Sequence, residues 1–284
     1  MDDVRLENKV ALVTGASRGV GKGIALALGE AGSVVYVTGR TVAGGKPTTS
    51  LPGSVNQTAA EVAALGGKAV ALPCDHRDDD AVRAAVERIE RDHGRLDVLV
   101  NNVWGGYELL HAGRYETFGG PFWEAPLSVW DGMFDAGVRA HFAASAFAVP
   151  LMLRAGAGLI VNVSSFAAAN PKEVVQLGVA KAATDHLTRL TAEHLRAHGV
   201  AVVSLYPGLV RTEGILKWKD YIDLSNSESP SFVGRAVVAL AADDDVMARS
   251  GQTAVVAELA EEHGFTDEDG TQPRSLRAQY EVVR

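Results

Sequence analysis

Three glycines fall close together in the run Thr14-Gly15-Ala16-Ser17-Arg18-Gly19-Val20-Gly21, between an apolar stretch and a stretch of small helix-forming residues. A turn of this kind lets backbone approach a phosphate, and the helix that follows offers unpaired N–H groups and positive potential. Gly15, Ser17, Arg18, Gly19, Val20 and Gly21 are therefore candidates for cradling the pyrophosphate of a dinucleotide. A bare connection between a strand and a helix would need none of this chemistry. The next apolar run ends in Gly39-Arg40. A carboxylate there would hold the ribose hydroxyls of NAD. Two guanidinium groups, Arg18 and Arg40, favour a 2′-phosphate instead, and the expected cofactor is NADP(H) rather than NAD(H).

The elements that must position these groups alternate along the chain. Apolar runs at 10–14, 34–38, 68–72, 96–100, 159–163 and 200–205 read as strands, with a seventh expected at 253–257. Helical segments are expected at 21–30, 58–65, 78–92, 129–153 and 181–198, and another opening at Ser229-Pro230, with Ser229 as N-cap. Near-continuous Val and Leu runs mark strands covered on both faces, hence a parallel sheet between helix layers. The expectation is a single-domain α/β fold over residues 1–284: a Rossmann-type three-layer sandwich with a parallel sheet of about seven strands. Residues 41–53 read as a loop. Residues 104–126 read as a loop insertion and 213–228 as a segment over the substrate side.

Composition sets limits. The 284 residues are 47% hydrophobic and 22% charged, and 27 basic against 35 acidic side chains leave a net charge of −8. No basic stripe stands out of the kind a nucleic-acid groove requires, so no nucleic-acid partner is expected. The single cysteine, Cys74, excludes an intrachain disulfide and suits a reducing cytoplasm. The first nine residues do not read as a signal peptide, and the longest apolar stretch, 142–153, is too short to span a bilayer, so no membrane is expected. His76, His93, His194 and His198 have charged neighbours and are expected in solvent. No residue spacing suits a metal site.

The spacing G-x-x-x-G-x-G resembles that of the short-chain dehydrogenase/reductase family, and the resemblance runs through the chain. Asn101-Asn102-Val103 follows the fourth strand where the family has Asn-Asn-Ala-Gly. Ser164-Ser165 ends the fifth strand at the family's catalytic serine, and Lys181 stands at its catalytic lysine. Pro207-Gly208-Leu209-Val210-Arg211-Thr212 matches the family's Pro-Gly-x-Val-x-Thr. Within the family the chain is most similar to the branch of dehydrogenase/reductase member 1 and its bacterial relatives. The resemblance implies that Asp75 touches the adenine, that Asn101 serves the adenosine side, and that Thr212 reaches the carboxamide or phosphates, with Pro207, Gly208 and Val210 beside it. Asp75 and Thr212 have a second role open to them, as caps of the helices that follow. The resemblance also implies a homodimer or homotetramer.

One position breaks the pattern. The family's catalytic tyrosine lies four residues before the lysine; here that residue is Leu177. A leucine has no proton to give. In addition, Gly137 stands where many members have an asparagine. Ser165, with Ser164 beside it, is the expected substrate-facing serine, and Lys181 retains the capacity to clamp a ribose. Tyr107, His111, Tyr115 and Tyr206 are candidate substitutes for the missing acid. Three readings stand at this point: an atypical NADP(H)-dependent oxidoreductase of a small, apolar substrate; a cofactor-binding protein without turnover; and a non-redox enzyme, of dehydratase or isomerase type, on the same fold. Aromatics at Trp104, Phe118, Phe122, Trp123, Trp218 and Tyr221 are expected to make an apolar cover.

Overall fold

A computed structural model describes residues 4–45, 49–106, 120–280 and 282. The strands are β1 Val10–Val13, β2 Val34–Gly39, β3 Lys68–Pro73, β4 Val98–Asn101, β5 Gly158–Val163, β6 Val200–Tyr206, the short β7 Leu209–Val210 and β8 Ser227–Glu228, and β9 Thr253–Val255. Between them run α1 Gly19–Glu30, α2 Val55–Ala64, α3 Asp79–His93, α4 Leu127–Ala155, α5 Val175–Leu195, α6 Glu213–Leu216 and α7 Pro230–Ala242, and α8 Val256–His263 closes the series. Seven strands form one sheet in the order β3-β2-β1-β4-β5-β6-β9, every neighbouring pair parallel.

Alternation along β1 explains the three layers. Ala11 and Val13 face a core built with Ile24 and Leu28 of α1 and with Phe232 and Val237 of α7. Val10 and Leu12 face the other core, with Val86 and Ile89 of α3 and Leu151 and Met152 of α4. Successive side chains of a strand point to opposite faces, so a run apolar at every position demands cover on both. The expected Rossmann-type sheet is what forms. Strand order reverses where the chain, having built β2 and β3 on one side of β1, crosses to β4 on the other. Clefts at the carboxyl ends of the strands open at such a point.

Several boundaries differ from the sequence reading for local reasons. β9 stops at Val255 and Val256 starts α8, so the apolar run at 253–257 is half strand and half helix. α4 is continuous over 29 residues, with a π-helical turn at Phe134–Arg139. By length and composition it is long enough to cross a membrane, where the 142–153 run read from the sequence is too short. Its Ala144, Ala148, Leu151 and Met152 pack in the core, the situation of an interior helix. Ser229 caps α7 as expected, its hydroxyl accepting from Phe232 N at 3.0 Å. The cap of α3 is Asp78, which accepts from Asp80 N at 3.0 Å, and not Asp75.

Candidate functional site

At the carboxyl ends of β1 and β4 one hydroxyl adds to the backbone pairing. Thr14 Oγ1 donates to Val100 O at 3.2 Å and accepts from Asn102 N at 2.9 Å. Asn102 Nδ2 in turn donates to Thr14 O at 2.9 Å and Gly15 O at 3.1 Å, bracing the glycine turn from below. Two glycines are required by this closeness. Gly15 has φ +66°, and a Cβ on it would lie 2.8 Å from Val103 Cα; a Cβ on Gly21 would lie 2.3 Å from Asn102 Nδ2. Glycine tolerates both the dihedral and the approach.

Above the turn lies a cavity of about 420 Å³, within the range of small-molecule sites. Of the residues singled out in the sequence, Gly15, Ser17, Arg18, Val20, Arg40 and Asp75 line one half; Ser164, Ser165, Leu177, Lys181, Pro207, Gly208, Val210 and Thr212 line the other. Gly19 and Gly21 shape the turn without reaching the wall. Asn101 is not brought to the cavity: it is fully buried, and its Nδ2 donates to Ser145 Oγ at 3.0 Å and Asn162 Oδ1 at 2.8 Å. Its neighbour Asn102 lines the cavity in its place. A larger recess of about 560 Å³ lies elsewhere, walled by Arg249, Glu258, Glu262 and Arg277, which pair among themselves.

The half of the cavity under β2 and β3 carries charge. Arg18 is buried; its Nε donates to Pro52 O at 2.9 Å and its Nη2 to Gly53 O at 2.9 Å, so it also ties down the loop between β2 and α2. Arg40 sits 4.0 Å from the Asp75 carboxylate. Burial opposes ionisation of Asp75, but hydrogen bonds from Arg77, with the charges of Arg77 and Arg40, hold its carboxyl below the usual range. His76 lines this half too and is buried, contrary to the expectation of a solvated ring. Its Nε2 meets Thr38 Oγ1 at 2.9 Å, its Nδ1 has no partner, and burial lowers its pKa to about 4.

At the other half, α5 presents Leu177 and Lys181 on one face, four residues apart. Lys181 Nζ donates to Val163 O at 2.9 Å, and desolvation lowers its pKa to about 8. Ser164 is buried, and its hydroxyl donates to Lys181 O at 3.3 Å. Ser165 is more open and accepts from Ala167 N at 3.3 Å. Tyr206 is buried and hydrogen-bonds the Asp185 carboxylate, and desolvation with that charge pushes its pKa far up. It does not line the cavity. Tyr107, His111 and Tyr115 lie outside the described residues, as does Phe118. His141, unremarked in the sequence, is buried in α4 with Nε2 3.1 Å from Val103 O.

Among the described residues, only part of the expected apolar cover lines the cavity. Trp104 lines it and donates Nε1 to Met133 Sδ at 3.0 Å. From the segment after Thr212, Ile215 lines it, a residue the sequence reading passed over. Leu216, Trp218 and Tyr221, like Phe122 and Trp123, are exposed. Thr212 does both things open to it: it lines the cavity and accepts from Ile215 N at 3.4 Å as the cap of α6. No cluster able to hold a metal is found among the described residues.

A parallel sheet reversing between β1 and β4, a glycine turn at that point, and a Ser–Lys pair on the same cavity are the features of the short-chain dehydrogenase/reductase class. The chain belongs to the short-chain dehydrogenase/reductase family: the short chain dehydrogenase model matches residues 9–220. Within the family it falls in the branch of dehydrogenase/reductase SDR family member 1, the mouse (Mus musculus) form of which is 39% identical over 279 residues, covering 93% of this chain and 85% of the mouse protein. The structure of a short-chain type dehydrogenase/reductase from Mycobacterium ulcerans is similar over 98% of this chain and 95% of that one, with TM-score 0.75 and 26% identity. A metagenomic short-chain oxidoreductase in complex with NADP is similar over 88% of this chain and 96% of its own, with TM-score 0.68 and 30% identity.

Proposed function

We propose that the chain is an NADP(H)-dependent oxidoreductase of a small, apolar substrate, working without the family's tyrosine. One observation carries this reading: the glycine turn, Arg18 and Arg40, the serine pair, Lys181 and the Pro207–Thr212 segment all converge on one cavity. The turn fits a pyrophosphate because it brings glycine backbone to the wall, with no side chain in the way at Gly15. A nicotinamide dinucleotide bound there supplies or accepts the hydride. Backbone N–H groups at the start of α1 hold its phosphates. Arg40, with Arg18 behind it, binds a 2′-phosphate, and Asp75 lies beside the adenine. Lys181 holds the nicotinamide ribose through its ammonium, Thr212 steadies the nicotinamide side, and Ser165 orients a substrate carbonyl. Leu177 offers no proton, so carbonyl reduction through this site is slow, and a substrate with less need of an acid, such as an activated C=C or C=N bond, suits it better.

The chain is read as one domain, with 213–228 over the substrate side. It assembles as a homodimer or homotetramer in the cytoplasm, with no nucleic acid or membrane partner; Phe142, Val179 and Leu190, exposed on α4 and α5, support a subunit contact. Leu177 also favours a second reading, a cofactor-binding protein without turnover. NADPH consumption against a panel of carbonyl, enone and imine substrates separates the two. Turnover of any of them upholds the enzyme; tight NADPH binding with no turnover on the whole panel upholds the binding protein.

A further inference from the structure

The start of α1 lacks the usual means of satisfying its amides. A helix leaves its first N–H groups without intrahelical partners, and a capping side chain or an acid in the first turn ordinarily answers them. Here the N-cap is Arg18, whose side chain makes no cap hydrogen bond, and the first turn carries no acidic residue. The acceptor comes from far along the chain: Gly19 N donates to Glu213 Oε2 at 2.9 Å, across 194 positions of sequence. Glu213 is the first residue of α6, next to Thr212 on the cavity wall. A second contact joins the same segment to the other side of the turn, where Lys217 Nζ meets Ser50 Oγ at 3.4 Å. Ser50 belongs to the loop that Arg18 ties down through Pro52 and Gly53.

We infer that Glu213 is an internal stand-in for the cofactor's pyrophosphate, latching the 213–228 segment to the glycine turn until a dinucleotide displaces it. The inference rests on the dinucleotide reading above. Two anions cannot share one set of amides in a partly buried place. A pyrophosphate entering at Gly19 and Val20 therefore drives the carboxylate out, and the segment that carries Glu213 and Ile215 is freed to move. Cofactor entry and opening of the substrate side become one event. The same charge weakens binding of every ligand that places phosphate at α1, and leaves ligands without a pyrophosphate untouched.

The test compares wild type with Glu213→Gln and Glu213→Ala, titrated calorimetrically with NADPH, ADP-ribose and adenosine. Removing the competing charge is expected to tighten NADPH and ADP-ribose by about 5- to 10-fold, the scale of a helix-terminus interaction in a partly buried setting, and to leave adenosine unchanged. Trp218, in the same segment, gives an independent signal. In a background carrying Trp104→Phe, Trp123→Phe and Trp130→Phe, its fluorescence should change when ADP-ribose, which lacks the absorbing nicotinamide, binds the protein with Glu213 intact, and the ligand-free Glu213 variants should already show much of that change. Unaltered or weaker NADPH binding by both variants, each with a cooperative melt, overturns the latch and leaves the dinucleotide reading standing. Binding of NADPH by none of the three proteins removes the dinucleotide reading and the latch together.

Discussion

Replacing Leu177 with tyrosine should restore a proton donor to a site that retains its other parts. Leu177 lines the cavity one helical turn before Lys181, and side chains four apart on a helix are neighbours. A free phenol titrates near about 10, and a cation within about 4–6 Å lowers such a group by about 1–3 units. The new phenol would thus titrate between about 7 and 9, where general acids work well. Lys181, already brought to about 8 by desolvation, is the cation. A positioned general acid contributes about 10²–10⁴-fold, or about 3–5 kcal/mol of barrier. Against this stands the larger side chain. Overfilling a packed core costs about 1–3 kcal/mol, but Leu177 is only partly buried and faces the cavity, which puts the cost at the low end. The assay is kcat/KM for NADPH-dependent reduction of a panel of ketones and aldehydes, with melting temperature as a check. A gain of about 10²-fold or more on at least one carbonyl is expected. A folded variant that binds NADPH and gains nothing on any carbonyl would refute the assigned geometry of Leu177, Lys181 and the serines.

Two further outcomes follow from the same site. Arg40→Asp should reverse the cofactor preference, weakening NADPH by about tenfold or more through loss of a charge-assisted contact and favouring NADH; equal NADPH affinity in a binding titration would remove Arg40 from the phosphate site. Acid stability should depend on the two buried imidazoles, His76 and His141, lowered to about 4 and about 3 by burial. The unfolded chain takes up these protons from about pH 6.5 downward and the native state does not, so their contribution is complete above pH 6.5 and is lost as pH falls toward 4 and then 3. Replacing both with glutamine should flatten urea-unfolding stability between about pH 6.5 and 4, and an unchanged slope would show that carboxylates alone govern it.

The fold was legible because its signals are redundant. Seven apolar runs, each bounded by glycine or polar residues, leave few arrangements other than a doubly covered parallel sheet. The glycine turn and the serine–lysine pair were legible because each has a chemical reason tied to a place in that sheet. Single-residue choices were not. Asn101 and Asn102 are adjacent, and alternation along a strand sends one inward to Asn162 and the other toward the turn; the sequence does not say which. His76 has charged neighbours in sequence, yet the turn after β3 folds its ring beneath Thr38. The run at 253–257 misled because a short apolar stretch reads alike as strand or buried helix. Glu213 could not have been found, since its partner is set by folding across most of the chain.

Calorimetric titration of the wild-type protein with NADPH, beside NADH, measures the central assignment with fewest assumptions. Saturable binding of NADPH, tighter than that of NADH, is expected, with thermal stabilisation of about 2.7 kcal/mol at a hundredfold excess over Kd. No heat and no shift in melting at millimolar concentrations of either nucleotide would contradict it.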